Sequence, residues 1–170
     1  MKYSVLMIFL IAPTLGWADE AKAKTPSSVN PAHDCRARYD IGEFTGAVPV
    51  CEEAARAGDM ESQFRLGRMY EKGDGVSKDL EAALRLYRQA GEKGHAGAQR
   101  RVAAAYAFGL GGVKKDEGEA RKWLTRAAEG GDTRAQKQLA EAYRRGLAGF
   151  PKDENLAREW SERAKRADGK

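Results

Sequence analysis

Residues 98–128 read AQRRVAAAYAFGLGGVKKDEGEARKWLTRAA, and nearly the same sentence stands on either side. The earlier copy is SQFRLGRMYEKGDGVSKDLEAALRLYRQAG at 62–91; the later one is AQKQLAEAYRRGLAGFPKDENLAREWSERAK at 135–165. Tyr70, Tyr106 and Tyr143 are 36 and then 37 residues apart. Asp79, Asp116 and Asp153 are spaced by 37, as are Ala83, Ala120 and Ala157, and Ala90, Ala127 and Ala164. The extra residue falls in the loop, where GDGVSKD becomes GLGGVKKD. Self-similarity at this period marks a stacked repeat architecture.

Each copy carries the same physical grammar. Leu66, Gly67 and Tyr70 share one helical face, and Val102, Ala103, Tyr106 and Leu139, Ala140, Tyr143 repeat it. A small residue beside a tyrosine lets a neighbouring helix approach closely. The second helix answers with Ala83, Leu86, Tyr87 and Ala90, and Trp123 and Trp160 stand where Leu86 does. Glycines at 73, 75, 109, 111, 112, 146 and 149 stop the first helix of each copy. Asp79, Asp116 and Asp153 then sit where a carboxylate caps the second helix. Neither helix is long enough to be stable in water alone, so each must pack on its partner and on the next pair. The expected fold is all-α: an α/α solenoid of stacked antiparallel helix hairpins.

The run of Leu-Gly-x-x-Tyr, Gly-x-Gly-Val-x-x-Asp, a small alanine and Ala-Gly at 62–94 resembles the Sel-one-like repeat, a relative of the tetratricopeptide repeat. Copies two and three depart from it by placing Ala103 and Ala140 where copy one has Gly67. The resemblance implies a right-handed superhelix whose first helices line a concave face. It also implies a chain that binds another protein. Some cysteine-containing relatives are linked to penicillin binding or β-lactam hydrolysis, which makes a secreted repeat enzyme of that type the alternative.

The 170 residues suit one domain, and a mean hydropathy of −0.66 with 42% hydrophobic residues, many of them alanine, points to thin helical layers rather than a thick core. Residues 1–18 read as a secretory signal peptide: Lys2, an apolar run at 5–12, Pro13, then Gly16-Trp17-Ala18 before cleavage. The apolar run is too short to span about 30 Å of hydrocarbon. The expected location is therefore periplasmic or secreted, with no membrane insertion after cleavage. Residues 19–33 hold Pro26 and Pro31 but no large apolar cluster and read as a flexible leader. Residues 34–58 form a shorter hairpin without the long glycine loop, expected to cap the stack; Pro49 falls early in its second helix. Repeats follow at 59–94, 95–131 and 132–170.

Aligning Ala47 with Ala83 puts Cys51 on the inward face of the capping hairpin, opposite Cys35. In an exported chain with two cysteines this favours a disulfide. A metal site or a catalytic thiol is the alternative, but His33 and His95 are too few for a zinc set. The two histidines, each at a helix start, read as solvated or capping residues. The chain has no Ser-x-x-Lys, Gly-x-Ser-x-Gly or His-Glu-x-x-His run. GDGVSKD lacks the further ligands of a calcium loop and the Gly-Lys-Ser of a phosphate loop. No cofactor, no metal and no catalytic residue is expected.

The surface says more. On the first helices, Arg36, Tyr39, Phe64, Arg65, Arg68, Arg100, Arg101, Phe108, Lys137 and Arg144 point away from the packed seam, with few acids among them. The second helices mix both signs. Arginine interleaved with aromatics is what binding hot spots are made of. These ten residues are the expected partner-binding strip, fitted to an acidic or extended peptide segment of another protein. Nucleic acid could meet a basic strip as well, but export removes the protein from it. The chain is expected to be a monomer.

Overall fold

The computed structural model describes residues 30–169, which fold into eight helices and no strand. They are α1 (Pro31–Asp40), α2 (Phe44–Arg56), α3 (Met60–Lys72), α4 (Leu80–Glu92), α5 (Ala96–Phe108), α6 (Glu117–Glu129), α7 (Thr133–Arg145) and α8 (Glu154–Asp168). The expected signal peptide, and the expected leader up to residue 29, lie outside the described residues. The helix pairs α1–α2, α3–α4, α5–α6 and α7–α8 are the four hairpins. Each hairpin packs on the next, and α1 also touches α3.

The first hairpin starts earlier than residue 34. Asn30 accepts the His33 backbone N–H at 3.1 Å, and Pro31 opens the helix, where its missing N–H costs nothing. Pro49 lies in the second turn of α2, and the helix runs through it.

Capping follows one rule in every repeat. Asp79, Asp116 and Asp153 accept backbone N–H groups in the first turns of α4, α6 and α8 at 2.9–3.0 Å. Asp59 and Asp132 do the same for α3 and α7 at 2.7 Å. In α5 the cap is His95, whose Nδ1 accepts from the Ala98 N–H at 3.1 Å. The glycine loops are closed by one recurring bond: the Asp79, Asp116 and Asp153 N–H groups donate to the Tyr70, Tyr106 and Tyr143 carbonyls, all at 2.9 Å.

The core is three thin layers, one at each junction, built mostly from alanine. Ala47, Leu66 and Met69 fill the first with Cys35 and Cys51; Ala83, Tyr87, Val102 and Trp123 fill the second; Ala127, Leu139, Phe150 and Trp160 fill the third. Cys35 and Cys51 are fully buried and bonded to each other, with Cα atoms 4.7 Å apart.

Two small-residue positions show how the layers are tuned. A Cβ on Gly67 would lie 2.7 Å from the Tyr87 ring. One and two repeats on, Leu124 and Ser161 replace that ring, and Ala103 and Ala140 replace the glycine. The glycine is thus tied to the tyrosine it faces, and the departure from the Leu-Gly pattern accompanies the loss of that ring. At the loop position of Gly111 (φ +66), a Cβ would meet the Leu80 carbonyl at 2.6 Å. Repeat three places Ala148 there, still at φ 52.

Candidate partner-binding face

The first helices α1, α3, α5 and α7 lie side by side, so their outward residues form one surface. Four of the expected strip residues meet in a single cluster. Tyr39 stands edge-on to Phe44, with ring centroids 5.5 Å apart. The Arg65 and Arg68 guanidinium groups sit over the Tyr39 ring at 5.6 and 5.5 Å, and Arg68 is also 5.9 Å from the Phe64 ring. Phe64 in turn stacks on His95, with centroids 4.2 Å apart, and leans on Tyr87.

Most of the strip's charge is already answered within the chain. Arg65 pairs with Glu61 and with Asp40; its side chain is 12% exposed. Arg101 pairs with Glu71 at 3.0 Å, Arg100 with Asp132 at 3.0 Å, and Lys137 with Asp168 at 2.6 Å. Arg36 pairs with Asp40, and Arg144 with Glu141. Arg68 is the exception: it forms no ion pair among the described residues and rests only on aromatic faces. A guanidinium held over rings and not neutralised is poised for a carboxylate from outside. Phe108 stands apart from the cluster, at the end of α5, 75% exposed.

The electrostatics of the cluster follow from burial and hydrogen bonds. The Tyr87 hydroxyl donates to Glu71 at 2.6 Å, and burial, then this bond, raise its pKa well above the ordinary phenol value. Burial also raises Tyr39, against the nearby Arg68 charge. His95 accepts through Nδ1, so its Nε2 donates, to Glu61 at 3.1 Å; that bond holds the Glu61 carboxyl below its usual range.

Three residues that matter to the stack were absent from the sequence reading. Gln63, Gln99 and Gln136, all buried, donate through Nε2 to the Ala55, Gly91 and Ala128 carbonyls at 3.0, 2.9 and 3.0 Å. Each bolts a first helix to the open C-terminal end of the second helix before it. The signal was there, a glutamine repeating at 36 and 37 residues, but a glutamine is an ordinary surface residue and reads as one.

Comparison with known proteins agrees with this architecture. The Sel1 repeat model matches residues 61–95, 96–132 and 133–168. A Sel1 repeat protein from Oxalobacter formigenes, known from a crystal structure, is 36% identical over 85% of this chain, with a TM-score of 0.73. The protein c5321, described as a protective antigen present in uropathogenic Escherichia coli strains and displaying an SLR fold, is 30% identical over 79% of this chain, with a TM-score of 0.68. The matches span 61% and 31% of those two chains, so both relatives extend beyond what is matched here. Repeats of this kind serve in general as protein interaction modules and are typically non-catalytic. With three matched repeats over more than half its length and the same helical stack, the chain belongs to the Sel1 repeat family.

Proposed function

We propose that the protein is an exported, non-catalytic interaction module, a scaffold, adaptor or regulator that holds an acidic segment of another protein against its first-helix face. Arg68 carries this reading: it is a cation on two aromatic rings, flanked by arginines whose own charges are spent on Glu61, Asp40 and Glu71. Arginine and aromatic groups together are the commonest anchors of protein interfaces. The signal-like residues 1–18 and the buried Cys35–Cys51 bond support an oxidising, exported location. Among the described residues no helix is long and apolar enough to cross a membrane.

Site-specific photocrosslinking in the native compartment tests the reading. A photoreactive residue at Gln138, exposed on α7, should capture one protein; the same residue at Gln89, exposed on α4, should not. Arg68→Glu should abolish capture at Gln138, and added salt should weaken it. Equal capture from both positions, or capture indifferent to Arg68→Glu, would sink the assignment. The intact mass of the recovered protein should correspond to a chain starting at Asp19; a mass starting at Met1 removes the export reading.

A further inference from the structure

Two successive repeat junctions carry a recess at the same repeat positions, and its filling changes from one to the next. Between α3, α4 and α5 it has a volume of only about 50 Å³. Three side chains plug it there: Tyr87 donates to the Glu71 carboxylate, which also receives Arg101. One repeat on, the plug is missing. Ala107 stands 36 residues after Glu71, and Leu124 and Gln138 stand 37 after Tyr87 and Arg101. The recess between α5, α6 and α7 accordingly opens to about 330 Å³. Its lining includes Ala104, Ala107 and Leu124, and at its mouth stand Phe108 and Leu147, 75% and 43% exposed.

The charges around it select the occupant. Ala104 lies one repeat after Arg68, the cation without an ion-pair partner. On the α7 side, Glu141 lines the recess and is itself shared between Arg144 and Arg145, which leaves one positive charge in excess there. A recess that is apolar over most of its lining, edged by Arg100, Arg121 and Glu141, thus lies on the first-helix face that also carries Arg68, with Arg144 and Arg145 on its α7 side. We propose that it receives one large apolar side chain, a phenylalanine or leucine, presented by an extended acidic peptide whose carboxylates pair with Arg68 on one side and with Arg144 and Arg145 on the other. This deepens the reading of the first-helix face given above and rests on it.

Two fluorescent nonapeptides provide the probe, alternating aspartate and glutamate around a central phenylalanine or a central serine. The phenylalanine peptide should bind the wild-type chain about tenfold or more tightly than the serine peptide. Rebuilding the plug of repeat one should erase that difference. The variant is Ala103→Gly, Ala107→Glu, Leu124→Tyr and Gln138→Arg, the glycine being needed because a tyrosine leaves no room for the Ala103 Cβ. Ala107→Leu, a single substitution that fills the same space, serves if the rebuilt variant does not fold. Arg68→Glu should weaken both peptides. Uncharged N-acetyl-phenylalaninamide should shift the Ala104, Ala107 and Gln138 amide resonances of the wild type and not those of the plugged variant.

Equal, salt-sensitive binding of the two peptides overturns the recess and leaves the basic face standing. Failure of both peptides to bind overturns the two readings together. Amide shifts that are absent, or unchanged by the plug, overturn the recess whatever the peptides do. Concentration-dependent dimerisation abolished by Ala107→Leu would assign the recess to a second copy of the chain and overturn the proposal.

Discussion

Gly67 and Tyr87 claim the same space, and that makes a sign prediction. A glycine inside a helix costs about 0.5–1 kcal/mol relative to alanine, yet here an added methyl would press into the Tyr87 ring. Gly67→Ala should therefore destabilise the wild-type chain, by about 1–3 kcal/mol for an overpacked core. In a Tyr87→Leu background, which copies repeat two, the same substitution should stabilise. Urea unfolding of the four members of this cycle measures the coupling; additive effects would show that the ring and the glycine are independent. The ring contact was not legible in sequence, because it depends on where one side chain lies between two helices. The same holds for the strip. Counting arginines placed Tyr39, Phe64, Arg65 and Arg68 on one surface, where the structure also has them. It could not show that Arg65, Arg100 and Arg101 are spent on Asp40, Glu61, Asp132 and Glu71, acids that lie 25–32 residues away or one helical turn before.

At the scale of elements, the helices and their caps were legible because they depend on neighbours in the chain. The period of Tyr70, Tyr106 and Tyr143 set the hairpins, and the aspartates at 79, 116 and 153 set where second helices begin. Loop strain was not legible, since it needs φ. Ala148 holds a left-handed conformation that costs an L-residue with a Cβ roughly 1–2 kcal/mol. Ala148→Gly should raise stability by up to about 1 kcal/mol, less than the full strain because glycine gains freedom in the unfolded chain. The reverse change one repeat earlier, Gly111→Ala, should cost more than that, because it adds a contact with the Leu80 carbonyl to the same backbone strain. Thermal denaturation of the two variants reads both signs, and two shifts in the same direction would contradict the repeat equivalence of these loops.

Across the whole molecule, stability is a sum of layers and the contacts between neighbours. The Cys35–Cys51 bond closes a loop of 16 residues in the first layer, worth about 3 kcal/mol by the chain-entropy account. Replacing both cysteines by alanine should speed amide exchange most in α1 and α2, less in α3 and α4, and least in α7 and α8. Uniform acceleration through all eight helices would mean that the stack opens as one unit. A gradient would confirm that disturbance fades from one glutamine bolt to the next.

That covalent clip gives the rod a direction. Pulled apart along the stack, the described hairpins should peel first from the α8 side, where α7 makes the main contact with the preceding pair, whereas both α1 and α2 meet α3. When the tension is released, the clipped hairpin should be the one that has kept its two helices together, a surface for α3 to rejoin.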